Sequence, residues 1–244
     1  MSDYNFIGNN SGTIHQFGGR GNTYNPAPSE QAAARQPAEV PDDRPESALY
    51  SFADIVGYSQ LNARLQKSGQ DDLAHILDQG IAEAGVQPDR VASQDQGDAR
   101  LLTFPAGTDV AKVLAVMPRC LNDELAARNR DMAEHARMRV RLAFSMGASI
   151  RGATGLVGAA PIAVVRIADS PVFRRAMRAA PRVQCGLIID DHLHSEWVRQ
   201  GFRADINPDD YAPVRVSYPE KGFNAMAWMR LFGYSREQVR SLLG

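Results

Sequence analysis

Residues 48 to 61 read ALYSFADIVGYSQL, and the apolar positions Tyr50, Phe52, Ile55 and Val56 predict a buried strand over 48–56. Leu61, Leu65, Leu73, Ile76, Leu77 and Ile81 then recur at helical spacing, which predicts a helix over 59–84. Two short strands, about 90–94 and 99–104, are joined by a tight turn at Gln96-Gly97-Asp98. Val110, Val113, Leu114, Met117, Leu121 and Leu125 mark a second helix over 108–129. MRVRLAFSMG at 138–147 alternates arginines with apolar residues, the pattern of a strand. A Gly-rich reversal from Arg151 to Gly155 leads into Val157-Gly158, after which 159–179 reads as helix, 183–189 as strand and 191–200 as a short helix. Strands at 213–218 and 224–230 precede a last helix, whose start Ser235-Arg236-Glu237-Gln238 fits a capping box. The order β-α-β-β-α-β with additions predicts an α+β domain, an antiparallel sheet with helices on one face.

Composition divides the chain further. Residues 1–25 are rich in Gly and Asn and almost free of charge; residues 26–47 carry Pro26, Pro28, Pro37, Pro41 and Pro45 and read as an extended linker. The α+β domain then occupies 48–232, with a C-terminal helix over 233–244. Lys plus Arg (27) nearly balances Asp plus Glu (28), which argues against a dedicated nucleic-acid binder but leaves room for an anionic small molecule held by local arginines. No apolar run approaches the ~18 residues of a membrane span, and the N-terminus lacks a basic patch followed by an apolar core. With Cys120 and Cys185 in apolar stretches, the chain reads as cytoplasmic with two buried free thiols.

Asp54 interrupts an apolar strand, and a carboxylate there is costly unless something pairs with it. It reads as an edge-strand Asp, a helix cap, or a metal ligand at a strand end. Asp98 reads either as a turn former or as a second carboxylate brought beside Asp54. Two converging carboxylates suit Mg²⁺, with phosphate oxygens completing its shell. The Gly57-Tyr58-Ser59 turn offers backbone N–H groups at a helix N-terminus, a seat for phosphate. Arg139 and Arg141 fit a solvated strand face as well as phosphate binding. Arg166 fits a helix surface, and Lys221 a hairpin turn. The i, i+2 spacing of His192 and His194 fits no helical metal pair, which leaves surface or capping roles, and Trp197 and Trp228 read as core. SGTIHQFGGRGNTYN, within 1–25, reads as a disordered tail or as a strand that stacks on copies of itself through Asn and Gln ladders. It resembles the short amyloid-like signalling motifs of bacterial effectors, which implies a regulator recruited through this segment.

FADIVGYSQL, QGDARLLTFP, MRVRLAFSMG and GLVGAAPIAVVRIAD together resemble the successive motifs of class III nucleotidyl cyclases, the adenylate and guanylate cyclase family, over roughly residues 48–230. The stretch from DDHLHSEW to NAMAWM resembles divergent actinobacterial members. The resemblance implies a ferredoxin-like βαββαβ cyclase domain with a C-terminal hairpin and helix. It implies conversion of a nucleoside triphosphate to a 3′,5′-cyclic nucleotide and pyrophosphate, in bacterial stress or anti-phage signalling. By the same resemblance Asp54 and Asp98 hold two Mg²⁺ or Mn²⁺ ions, Arg141 contacts phosphate, and Arg166 and Lys221 stabilise the transition state. Gln94 occupies the base-reading position. The implied assembly is a homodimer, with Asp54, Asp98 and Arg141 from one chain and Gln94, Arg166 and Lys221 largely from its partner. The sequence departs from the family at Ile162, where an asparagine would contact ribose, and at Gln94 and Gly155, where a purine-reading pair would stand. An amide both donates and accepts, so Gln94 does not choose a base by itself, and UTP or CTP stands open as substrate. The alternative is a catalytically degenerate module for dimerisation or nucleotide sensing.

Overall fold

The computed structural model describes residues 44–152 and 155–243. The chain divides into two units between Val40 and Pro41; the readings of residues 1–25 and of the linker up to 43 lie outside the described residues. In chain order the second unit comprises β1 (Glu46–Ile55), α1 (Ala63–Glu83), β2 (Ala92–Asp95), β3 (Ala99–Thr103), α2 (Val110–Asn129), β4 (Val140–Gly152), β5 (Gly155–Val157), α3 (Ala159–Ala168), α4 (Pro171–Ala179), β6 (Cys185–Asp190), α5 (Asp191–Leu193), β7 (Ala212–Tyr218), β8 (Phe223–Leu231) and α6 (Arg236–Leu243). The sheet runs β2-β3-β1-β4-β6-β8-β7, with β5 pairing off β4. All pairings are antiparallel except β4–β6. The first four elements of that order are the ferredoxin-like core, with β1 held between β3 and β4.

Helices cover both faces of the sheet, not one. Leu49, Ala53 and Ile55 of β1 point into a core with Leu73, Leu77, Leu114 and Leu121 from α1 and α2. Tyr50 and Phe52, alternating with them, point into a second core with Val164, Ile167, Phe173 and Met177 from α3 and α4. The period-2 alternation of a strand sends neighbours to opposite faces, and a strand apolar at both parities must be covered twice. Gly80 lets α1 and α2 approach, since a Cβ there would lie 2.7 Å from Leu121 Cδ1. Gly186 likewise admits α4, because a Cβ there would lie 2.5 Å from Met177 Sδ.

Four local readings change. The helix expected from 59 opens at Ala63, where Asn62 caps it through a Leu65 N–H bond of 3.0 Å; Tyr58–Gln60 is a separate 3₁₀ turn entered through left-handed Gly57 (φ 77°). The single helix expected over 159–179 is two, because Ser170 accepts from the Phe173 N–H and Pro171 takes the first helical position. His194 belongs to neither surface nor cap: α5 continues as a π-helical turn, His194–Val198, which turns its ring inward. It is 2% exposed and stacked on Trp228 with ring centroids 3.5 Å apart. Arg139, which fitted a solvated strand face or phosphate binding, does neither: it closes the C-terminal end of α4 by donating to Val183 O (2.8 Å), Ala180 O (2.9 Å) and Met177 O (2.5 Å). The capping box at α6 is reciprocal: Ser235 N–H donates to Gln238 Oε1 (2.8 Å) and Gln238 N–H to Ser235 Oγ (3.3 Å). Cys120 and Cys185 are free and buried.

Candidate active site

Asp54 lies near the end of β1, directly opposite Arg141 on β4 and Ala99 on β3. It shares the sheet face of Tyr50 and Phe52. The register therefore sets a carboxylate and a guanidinium side by side, and Arg141 grips Asp54 with two parallel bonds. Nε donates to Oδ1 at 2.7 Å, and Nη2 donates to Oδ2. Both residues are buried, at 9% and 7% exposure. A fork-on-carboxylate pair is the geometry in which an ion pair best withstands loss of water. Arg141 Nη2 also lies 3.9 Å from Asp169 Oδ1, just beyond the end of α3, and Asp169 in turn pairs with Arg174 of α4. Four charged groups thus run in alternating sign from β1 across β4 to the α3–α4 junction.

Asp98 sits in the β2–β3 turn, where Gly97 takes φ 73° and Asp98 O accepts the Ile55 N–H at 3.2 Å. That bond ties the turn to the residue after Asp54. The Asp98 carboxyl is raised above the ordinary carboxylate range, chiefly by burial and further by the negative charge of Asp54; its own backbone, Arg141 and Arg174 oppose the shift. The two carboxylates thus feel each other. Among the described residues no group of three or more His, Cys, Asp or Glu is arranged to hold a metal. A divalent ion here would rest on this pair, and Mg²⁺ is held in that manner when substrate phosphates supply further oxygens. The donors fit such an ion in kind, while both oxygens of Asp54 are engaged by Arg141.

The remaining candidates form two groups. Gln94 and Gly155 come together: a Cβ built on Gly155 would lie 3.6 Å from Gln94 Oε1. They line a cleft of about 300 Å³ with Ser93, Leu101, Arg151 and Leu156. Arg166 and Lys221 meet at the β7–β8 hairpin. The Arg166 guanidinium lies 5.0 Å from the Phe223 ring centroid and Lys221 Nζ 5.6 Å from that of Tyr218, while Tyr218 OH donates to Arg166 O at 3.2 Å. Burial raises the Tyr218 phenol above its ordinary range, and Arg174, Arg141 and Arg166 oppose that rise. Gly57, Tyr58 and Ser59 lie four or more residues ahead of α1, so their backbone is not the N-terminus of that helix. Ile162 is 46% exposed on a helix, AAPIAVVRIA, that is apolar almost all round. Asp169, Arg174 and Tyr218 were not singled out by sequence. The first two stand five residues apart across the Ser170-Pro171 break, a spacing that no single helix face pairs.

Solved structures share this arrangement of strands and helices. The adenylate/guanylate cyclase/hydrolase from Silicibacter pomeroyi superposes with a TM-score of 0.54 at 16% identity, over 77% of this chain and 97% of that one. The guanylyl cyclase Cya2 gives 0.52 at 13%, over 79% and 98%. The adenylyl cyclase CyaB from P. aeruginosa gives 0.51 at 11%, over 79% and 97%. The chain has the fold of a class III nucleotidyl cyclase catalytic domain. No family model matches the sequence, and no curated protein matches it either. In the cyclase fold, the ferredoxin-like core places β1 beside both the β2–β3 turn and the start of β4. That is why Asp54, Asp98 and Arg141, far apart in sequence, share one corner. Among the described residues no helix is long and apolar enough to cross a membrane.

Proposed function

We propose that the chain is a nucleotidyl cyclase that turns a nucleoside triphosphate into a 3′,5′-cyclic nucleotide and pyrophosphate. The observation that carries this reading is the placement of two acidic residues on adjoining elements of a cyclase fold, Asp54 in β1 and Asp98 in the β2–β3 turn that bonds to Ile55, with Arg141 between β1 and the α3–α4 junction. Asp54 and Asp98 would hold Mg²⁺ or Mn²⁺, which when bound supplies Lewis acidity toward the ribose 3′-oxygen and the phosphates. Arg141 would bind phosphate oxygens by the same fork that now grips Asp54. Arg166 and Lys221 would place fixed positive charge where charge develops on the phosphates, a preorganised electrostatic contribution. The cleft beside Gln94 would take the base, and its amide reads either a donor or an acceptor edge. A homodimer is supported by exposed Ile162 on α3, since a helix apolar almost all round favours cover on its exposed face as well. The regulator reading of residues 1–25 stands beside this as a proposal of its own.

A second reading, a degenerate module that binds nucleotide without turnover, is favoured by two observations: Asp54 is paired with Arg141, and Ile162 offers nothing to ribose. Incubation with each of ATP, GTP, CTP and UTP plus Mn²⁺, with mass detection of cyclic products, separates the two. A product lost in both Asp54→Asn and Asp98→Asn supports the cyclase. Nucleotide binding without product from any of the four overturns it in favour of the module.

A further inference from the structure

The charged chain Asp54–Arg141–Asp169–Arg174 has a property that the cyclase reading does not require. Arg141 holds both oxygens of Asp54 through Nε and Nη2. A cation that took Asp54 as a ligand while that fork stayed closed would sit within a few ångströms of the guanidinium's own positive charge in a poorly solvated site, and that repulsion disfavours holding both at once. The same Nη2 already lies 3.9 Å from a second carboxylate, Asp169 Oδ1. That carboxylate differs in its surroundings: its side chain is 46% exposed, against 12% for Asp54. Its other partner, Arg174, is 47% exposed and pairs with it at the surface, where an ion pair is worth little. Arg141 therefore has a half-exposed carboxylate 3.9 Å from the nitrogen that holds its buried one, and the competitor already there pairs at the surface.

Resting on the cyclase reading, we infer that Arg141 and a divalent cation are alternative occupants of Asp54, and that Asp169 is the positioning residue that receives Arg141 when the cation enters and no phosphate is yet there to take it. The guanidinium keeps the buried carboxylate paired in the resting chain. Its transfer to Asp169 opens Asp54 beside Asp98 without leaving an arginine unpaired in a poorly solvated site, which would be costly. Asp169 touches neither substrate nor metal; it acts only through Arg141.

The test is Mn²⁺ binding followed by loss of the free-ion electron paramagnetic resonance signal, on the whole chain without nucleotide. Arg141→Lys keeps the positive charge but cannot hold both oxygens at once, so the Mn²⁺ dissociation constant is expected to fall by about tenfold. Asp169→Asn, a half-exposed change that leaves the Asp54 pair intact, is expected to raise it by about fivefold. An Arg141→Lys variant that binds no more tightly than wild type overturns the inference, as does an Asp169→Asn variant within twofold of wild type, roughly the resolution of such titrations. Wild-type silence up to about 10 mM Mn²⁺, well above the weakest physiological cation sites, also overturns it, since the guanidinium then never leaves. A purely structural Asp169 would change melting temperature without moving the Mn²⁺ constant. The two proposals fail separately. Absence of cyclic product with these shifts intact sinks the cyclase alone, and product formation without them sinks the Arg141 exchange alone.

Discussion

Replacing Arg141 by Met would remove the guanidinium that grips Asp54 with two bonds and leave a buried carboxylate near Asp98. Breaking a buried ion pair from one side costs about 3–5 kcal/mol, because the surviving charge loses its partner and cannot recover water. The reverse change, Asp54→Asn, is milder. The asparagine oxygen still accepts one guanidinium N–H, and Arg141 keeps Asp169 at 3.9 Å, so about 2 kcal/mol is expected. The double variant removes both charges together and should fall short of the sum by about 2–3 kcal/mol, the coupling of a close charged pair. Urea unfolding measures this. With a slope near 2 kcal/mol/M, Arg141→Met should lower the midpoint by about 2 M and Asp54→Asn by about 1 M. A midpoint shift for Arg141→Met under about 0.5 M, or a double variant whose losses simply add, would show that the pair is solvated and uncoupled. The reasoning from burial would then be wrong.

Three further outcomes follow from the same structure. Arg139→Ala should destabilise the domain by about 3 kcal/mol in thermal or urea melts, since Met177 O, Ala180 O and Val183 O lose their donor; Arg139→Lys should recover only part of this. Burial pushes His194 down to about 4, with Arg199 and Arg236 adding to that and Asp191 opposing it. A group with a lowered folded pKa that gains a proton only on unfolding loses stability as pH falls below its unfolded value near 6.5, with the loss complete near 4. Linkage sets at most about 3 kcal/mol, which screening reduces to roughly 1–2. Chemical unfolding between pH 7.5 and 4.5 should show this slope, and His194→Phe should flatten it. Burial pushes both Cys120 and Cys185 up to about 12, so neither thiol should react with an aromatic disulfide reagent at pH 8 until urea unfolds the domain.

Much of the architecture was legible in local pattern. The apolar run at 48–56, the heptad-like rows of α1 and α2, the Gly97 turn and the Ser235–Gln238 capping box are all short-range signals, and each produced its element within a few residues. The division of 159–179 was legible as well, in the Ser170-Pro171 pair, but the apolar continuity of AVVRIA masked it. What the pattern could not carry was the number of covered faces. Tyr50 and Phe52 read simply as apolar, and only the packing of α3 and α4 against them showed that both parities of β1 are buried. The same holds for His194. Most of its neighbours in DDHLHSEW are polar, and its ring stacks on Trp228, thirty-four positions away.

By itself the sequence determined, to within a few residues, where most strands and helices lie, which residues carry charge inside apolar runs, and the order of motifs that resembles a cyclase. Those properties depend on residues within a turn or two of one another. Tertiary structure alone decided that Asp54 faces Arg141 across the β1–β4 register, that Asp98 adjoins it through the β2–β3 turn, and that Asp169 waits 3.9 Å beyond. Strand register and helix docking are cooperative outcomes of the whole core, and the partner of a buried charge is set by them rather than by its neighbours along the chain.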